Sequence, residues 1–342
     1  MIRAHRGPVQ LLTLWLVGAV LLVASIAFAV TIGPSGLGFD DVLASTRAYV
    51  TGGESGLSRL QESIIWKLRL PQSVLAAVCG AGLAVCGGVL QSLLRNPLAD
   101  PFVLGVSSGA SVGAVSVVLL GVGAGVTGMA GGAFLGAVVA FVLVLTLARL
   151  AGGTTDRVVL AGIAGTQLFS ALTSFIVYTA ADAEQTRGVL FWLLGSLSSP
   201  TWTEVAVCAT VTLGGLLACL FTAGALDAFM FGNDAAAAIG ISVGRVRMAL
   251  LAVTALITAV IVSVAGAIGF VGLVLPHAAR ALVGVRHRVM MPTLALLGAL
   301  FLVWADVVGR VLIAPEELPI GVVTAIVGVP AFVLVLIRQG RR

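Results

Sequence analysis

Ten apolar runs, each near the length a helix needs to cross a bilayer, constrain this chain more than any other feature. They fall at 11–32, 71–94, 103–121, 126–149, 158–181, 202–223, 247–267, 268–284, 291–312 and 320–337. A spanning helix takes roughly 20 apolar residues. Hydrocarbon offers no hydrogen-bond partner to an open strand or loop, so each run is expected to be helical. Of the 342 residues, 59% are hydrophobic and 10% charged, and the mean hydropathy is +1.15. These values predict an all-α integral membrane protein with about ten transmembrane helices, residues 1–342 forming a single transmembrane domain.

The first run follows Arg3 and Arg6 and contains Ala-Phe-Ala at 27–29, as a cleaved signal peptide would. Its length exceeds the roughly 7–15 residues of a signal core, so it reads as an anchor. Ten spans put both termini on one side. With the termini in the cytoplasm, 13 of the 19 basic residues lie inside and 6 outside. That bias places both termini in the cytoplasm of a multi-pass protein of the cytoplasmic (inner) membrane. It also accounts for the net charge of +5 without nucleic acid as a partner.

Several chemistries are excluded. Lys67 is the one lysine and no glycine-rich loop precedes it, so a phosphate-cradling ATP site is not expected here. His5, His277 and His287 show neither metal-ligand spacing nor a serine and carboxylate at a spacing that announces a triad. No catalytic residue, metal site or cofactor is expected. Cys79, Cys86, Cys208 and Cys219 all fall within apolar runs, where cysteine acts as a small hydrophobe. Asp306 is the carboxylate well inside a run, and Arg310, four residues on, can pair with it. One such pair is thin support for an ion-coupled transporter.

Between the runs, 33–66 reads as an outside loop with a short helix. Pro71 is expected in the first turn of the second span. Within that span Ala76, Gly80, Ala84 and Gly88 recur every four residues. Small residues at that spacing let backbones approach, within a subunit or across a dimer. In the fifth run Thr166, Gln167, Ser170, Thr173, Ser174 and Tyr178 mark a polar side that needs other helices or a wet cavity. The 224–246 loop holds a short alanine helix, with Asn233 or Asp234 as N-cap and Gly240 as terminator. A helix that short needs something to dock against. Finally, "RNPLADP" at 95–101 interrupts two apolar runs with two prolines, an asparagine and an aspartate suited to turns and caps.

"RLPQSVLAAVCGAGLAVCGGVLQSLLRNPLADPFVLGVSSGAS" resembles the permeases of ABC importers for ferric siderophores, haem and cobalamin, the FecCD or cobalamin-permease type. "FWLLGSLS" at 191–198, "GAIGFVGLVLPHAARALVG" at 266–284 and "ADVVGRVLIAPEELPIGVVTAIVGVPAFVLVLIR" at 305–338 match further blocks of that family, so the resemblance runs from about residue 60 to the C-terminus.

The resemblance implies a type II ABC importer permease fold and a second copy or close paralogue. It also implies two ABC ATPase subunits, which bind the ATP and Mg, and an extracytoplasmic substrate-binding protein. It implies a cytoplasmic gate at Asn96, Leu98 and Thr155. Spans five and ten would line the path, with Thr166, Gln167, Ser170, Thr173 and Ser174 on its wall. Residues 232–241 match the family's coupling helix, which gives Asn233, Asp234, Ala237, Ala238, Ile239 and Gly240 that role. Arg69 and Arg310 stand at positions that dock the binding protein. Gln72 stands where a second arginine is frequent, so one contact is missing or shifted to Lys67. The expected cargo is a ferric siderophore, with haem or cobalamin as alternatives.

Overall fold

A computed structural model of the protein describes residues 7–33, 36–123, 128–180, 182–314 and 316–340. Arg3, His5, Arg6, Arg341 and Arg342 lie outside the described residues. Fourteen helices are defined: α1 Pro8–Thr31, α2 Phe39–Thr51, α3 Arg59–Leu93, α4 Val106–Leu120, α5 Gly128–Leu150, α6 Thr155–Ala180, α7 Ala183–Leu193, α8 Trp202–Phe221, α9 Ala223–Phe229, α10 Asn233–Ala238, α11 Val243–Ala265, α12 Val271–Val283, α13 His287–Val311 and α14 Ile320–Gly340. No strand occurs among the described residues. Each of the ten apolar runs coincides with a helix. Seven are long and apolar enough to cross a membrane, and α4, α12 and the start of α14 are shorter apolar helices.

Hydrogen bonds between helix ends fix two opposite faces. On one, the start of α13 meets the end of α3, and Arg247 at the start of α11 donates to Thr155 at the start of α6. Arg95, Arg149, Arg157, Arg245, Arg280, Arg286 and Arg288 also belong to turns or helix ends on this arginine-rich face. On the opposite face, Arg310 at the end of α13 donates to the carbonyls of Ala29 and Ile32 at the end of α1.

α3 is the hub. Its apolar window is 83% buried, and the small-residue ladder explains how. A Cβ at Gly80 would strike the Gly298 carbonyl of α13, and one at Gly298 would strike the Gly80 carbonyl. Ala76 and Ala84 are fully buried on the same stripe. The ladder therefore packs within the subunit, resolving the alternatives the sequence left open. α4 and α5 repeat the device, with Gly113 against Gly132 and Gly109 against Gly136.

Two expectations are corrected here. Pro71 stands in the first turn of the α-helical stretch Leu70–Leu93, as expected, but the span does not open there, because the helix continues back through a π-helical turn to Arg59. A proline inside a helix removes one N–H and crowds the carbonyl four residues back. The Ile64–Arg69 stretch answers by widening into a π-helical turn, with Leu70 N–H bonded to the Ile65 carbonyl. The eighth run likewise does not start helical at 268. Residues 266–270 are irregular, and the 13-residue α12 follows, about 20 Å long against the ~30 Å hydrocarbon core.

Such a break within a membrane must be buried in protein, and it is. Ser196 N–H bonds to the Ala265 carbonyl (2.8 Å), Ile320 N–H to Gly195 (2.9 Å) and Gly321 N–H to Leu194 (3.0 Å). Phe270 holds a left-handed φ of +68° there, which a non-glycine residue adopts only at a cost. Its ring lies against Gly328 of α14, where a Cβ would collide with it.

Candidate gate and coupling elements

The turn after α3 is closed by its own side chains. Asn96 Oδ1 accepts from Leu98 N–H at 2.9 Å, the Asn96 carbonyl accepts from Ala99 N–H at 3.1 Å, and Asp100 Oδ1 accepts from Phe102 N–H at 3.0 Å. Burial pushes the Asp100 carboxyl up to about 6, against the pull of that Phe102 N–H. Pro97 keeps helix out of the turn, and Pro101 opens a short 3-10 helix, Pro101–Leu104, capped by Asp100. Asn96 is thereby held half-buried, and Leu98 projects with 45% of its surface exposed. Thr155, the third expected gate residue, accepts from Arg247 on the same face. No hydrogen bond joins it to Asn96 or Leu98 among the described residues.

α6 is packed along one stripe only. Val158, Gly162, Gly165, Phe169 and Thr173, spaced by three and four residues, are buried. Gly162 allows close contact with the Val103 carbonyl. Gln167, Ser170 and Ser174 lie on the other side and are exposed, and Thr166 is half-buried between the two. Thr173 departs from the expected polar side. It belongs to the packed stripe, where its hydroxyl donates to the Phe169 carbonyl at 3.0 Å. Tyr178 is 89% exposed.

The loop after α8 contains two short helices. α9 is anchored by buried Ala223, Leu226, Ala228 and Phe229. α10 stands on it with Ala236 buried, while Asn233, Asp234, Ala237, Ala238, Ile239 and Gly240 are exposed. The N-cap is Gly232, at φ +111°, and not Asn233 or Asp234, which occupy the first turn. Gly240 does terminate the helix, at φ +85°, a conformation a side chain would strain.

The opposite face corrects the docking arginines. Arg310 is 3% exposed and already bonded to Ala29 and Ile32, and its Nη2 lies 2.9 Å from Asp306 Oδ2. Gln72 Nε2 completes the group by donating to Asp306 Oδ1 at 3.0 Å. Arg69 is 8% exposed, with Glu317 at 3.9 Å. Burying these charges costs solvation, which Asp306 and the Ala29 and Ile32 carbonyls offset for Arg310 and Glu317 offsets for Arg69, and little of either guanidinium is exposed in the single chain. Lys67 is exposed.

One cluster escaped the sequence entirely. His287 has both a serine and a carboxylate: its Nδ1 lies 2.6 Å from Asp227 Oδ1, and its Nε2 lies 2.6 Å from Ser92 Oγ. The three residues are scattered along the chain, and no local spacing signals them. The one sequence hint is a histidine opening a helix in an otherwise apolar chain. Nearby, Arg280 Nη2 donates to Gln91 Oε1 at 2.6 Å, and His277 Nε2 lies 3.1 Å from the Pro97 carbonyl. Both histidines and Arg280 thus brace the end of α3 and its turn.

The profile of the FecCD transport family matches residues 21–338, further toward the N-terminus than the motifs alone reached. The cobalamin import system permease BtuC of Halobacterium salinarum is 41% identical over 294 residues, covering 86% of this chain and 78% of that protein. The hemin transport system permease HmuU of Yersinia pestis is 37% identical over 284 residues, covering 80% and 84%. A solved structure described as an inward-facing metal-chelate type ABC transporter superposes with a TM-score of 0.80 at 28% identity, covering 95% of this chain and 99% of that one.

Proposed function

The chain belongs to the FecCD transport family and is a membrane-spanning ABC importer permease for metal-chelate-type substrates, and we propose that its cargo is a ferric siderophore moved by ATP-driven alternating access. In this reading two copies, or this chain and a close paralogue, enclose a path between their α6 helices. Gln167, Ser170 and Ser174 face it, with Thr166 at its edge. Two ATPase subunits, which bind ATP and Mg, dock on the arginine-rich face in the cytoplasm, where both termini also lie. A substrate-binding protein docks on the opposite face, outside the cytoplasmic membrane.

The observation that carries this reading is α10. A six-residue helix that packs on α9 through Ala236 alone and leaves Ala237, Ala238 and Ile239 exposed, with Ile239 at 69%, has a free face for a further partner. It stands beside the gate turn, since Gly232 approaches the Arg95 guanidinium. An ATPase seated there would drive α10 and, through it, the Asn96–Leu98 turn.

Ion coupling is less well supported. Asp306, the carboxylate a coupling ion would use, is committed to Arg310 and Gln72. Haem and cobalamin remain the alternative cargoes because relatives of similar identity are named for each.

Uptake of labelled ferric siderophore, haem and cobalamin, compared between cells with and without the chain, identifies the cargo. Ferric-siderophore uptake is expected to vanish without it and to survive collapse of the proton gradient while ATP is present. Replacing Ala238 by arginine is expected to abolish uptake without lowering the amount of folded permease. Normal uptake in that variant contradicts the coupling role.

A further inference from the structure

Resting on the coupling and gate roles just proposed, we infer that Asp227, His287 and Ser92 form a strut that carries displacement of the coupling loop to the gate turn. Asp227 lies on α9, six residues before Asn233, and Ser92 lies near the end of α3, four residues before Asn96. Between them His287, the first residue of α13, is fully buried. It touches Asp227 twice, through Nδ1 at 2.6 Å and through its own backbone N–H at 2.9 Å, and Ser92 once, through Nε2 at 2.6 Å.

The ring needs no second proton to hold the strut. Nδ1–H donates to the Asp227 carboxylate in a short, charge-assisted bond, which in the neutral imidazole leaves Nε2 to accept from the Ser92 hydroxyl. The Ser92 oxygen also lies 3.0 Å from the Gly88 carbonyl. The order of the three groups is that of a hydrolase triad, but Ser92 is 6% exposed and the histidine has no exposed surface, so no substrate reaches the hydroxyl. These are positioning residues.

The strut is the hydrogen-bonded link across this region. An open cavity of about 380 Å³, lined by Gln91, Ser92, Arg95, Pro97, Met230 and Arg280, lies between the turn and the coupling loop. It thins the packing there to the contact of α9 with α3 and the approach of Gly232 to the Arg95 guanidinium. The strut passes along the cavity wall. α12 holds the other side of the turn independently, through Arg280 to Gln91 and His277 to Pro97. The turn is therefore braced on one side and driven on the other. Removing the Asp227 link should leave the ATPase running and the gate unmoved.

The test is the ratio of uptake to ATP hydrolysis in proteoliposomes holding the complete importer with its binding protein. Asp227→Ala is expected to lower that ratio about tenfold, the scale of losing a hydrogen bond to a charged group. Asp227→Asn keeps an oxygen for Nδ1–H and should restore most of it, a rescue that loss of packing alone would not give. Should Asp227→Ala fail to accumulate, Ser92→Ala cuts the other end of the strut and is expected to lower the same ratio. An unchanged ratio, or uptake and hydrolysis falling in proportion, overturns the strut. Ala238→Arg, assayed beside them, separates the two ideas: normal uptake there removes the coupling role of α10 itself, whatever Asp227 does.

Discussion

α3 and α6 are both apolar and long enough to span a membrane, yet 83% of the apolar window of one is buried and 28% of the other. The difference lies in how each sequence spends its small residues. α3 carries them on several sides, so that Gly80 meets α13, Gly87 meets α12 and Gly82 meets α11 and α8. α6 has Gly162 and Gly165 on one stripe and leaves Gln167, Ser170 and Ser174 uncovered. An amide and hydroxyls facing hydrocarbon without partners cost several kcal/mol. A membrane helix with one packed stripe and one polar side calls for water or a further neighbour on that side, whereas α3 is covered within the chain.

The largest effect is expected where backbones touch. Gly80→Leu would drive a side chain into the α13 backbone, and overpacking of this kind costs 1–3 kcal/mol or more. The variant should fail to accumulate or should melt well below the wild type in detergent. The matching change on α6, Ser174→Leu, should leave the melting midpoint nearly unmoved. Equal losses in the two variants would erase the contrast.

Next in size is the buried charge near the end of α13. Arg310→Ala strands Asp306 without its 2.9 Å partner, and breaking a buried pair is strongly destabilising, though it leaves the helix backbones in contact. A large drop in thermal midpoint supports the interior assignment of Arg310. A stable variant with weakened binding-protein affinity would restore its docking role. Smallest is Lys67→Ala, on the exposed part of α3. An exposed ion pair contributes about 0–1 kcal/mol, so binding-protein affinity should fall by no more than about fivefold, with stability intact.

These contrasts also mark what was legible in the sequence. The ten helices were, because hydropathy acts over whole segments and needs no knowledge of neighbours. The ladder at Ala76 to Gly88 was legible as a packing face, but its partner was not, since any glycine stripe fits any other. The π-helical turn before Pro71 was hidden because the proline fits a helix start equally well. Arg69 and Arg310 misled for a related reason: a motif gives position along the chain, and burial depends on what folds over it. Thr173 shows the limit of a helical wheel, lying at the border where one turn of rotation decides between packed and open. Asp227, His287 and Ser92 were invisible because tertiary contact alone unites them. Asn96, Leu98 and the α10 residues were found from motifs, and their roles stand as proposals.

The uncovered side of α6 is the point on which the two-copy path depends, and water access measures it directly. Single cysteines at Ser174 of α6 and at Val139 of α5, which is 60% exposed, would be treated in native membranes with a water-soluble thiol reagent. The four native cysteines are buried and give a low background. A wet path predicts rapid labelling at position 174, slowed when ATP turnover is arrested, and none at position 139. If both positions resist the reagent, α6 faces lipid, and if both react alike, water reaches α5 as readily as α6; either result contradicts the path.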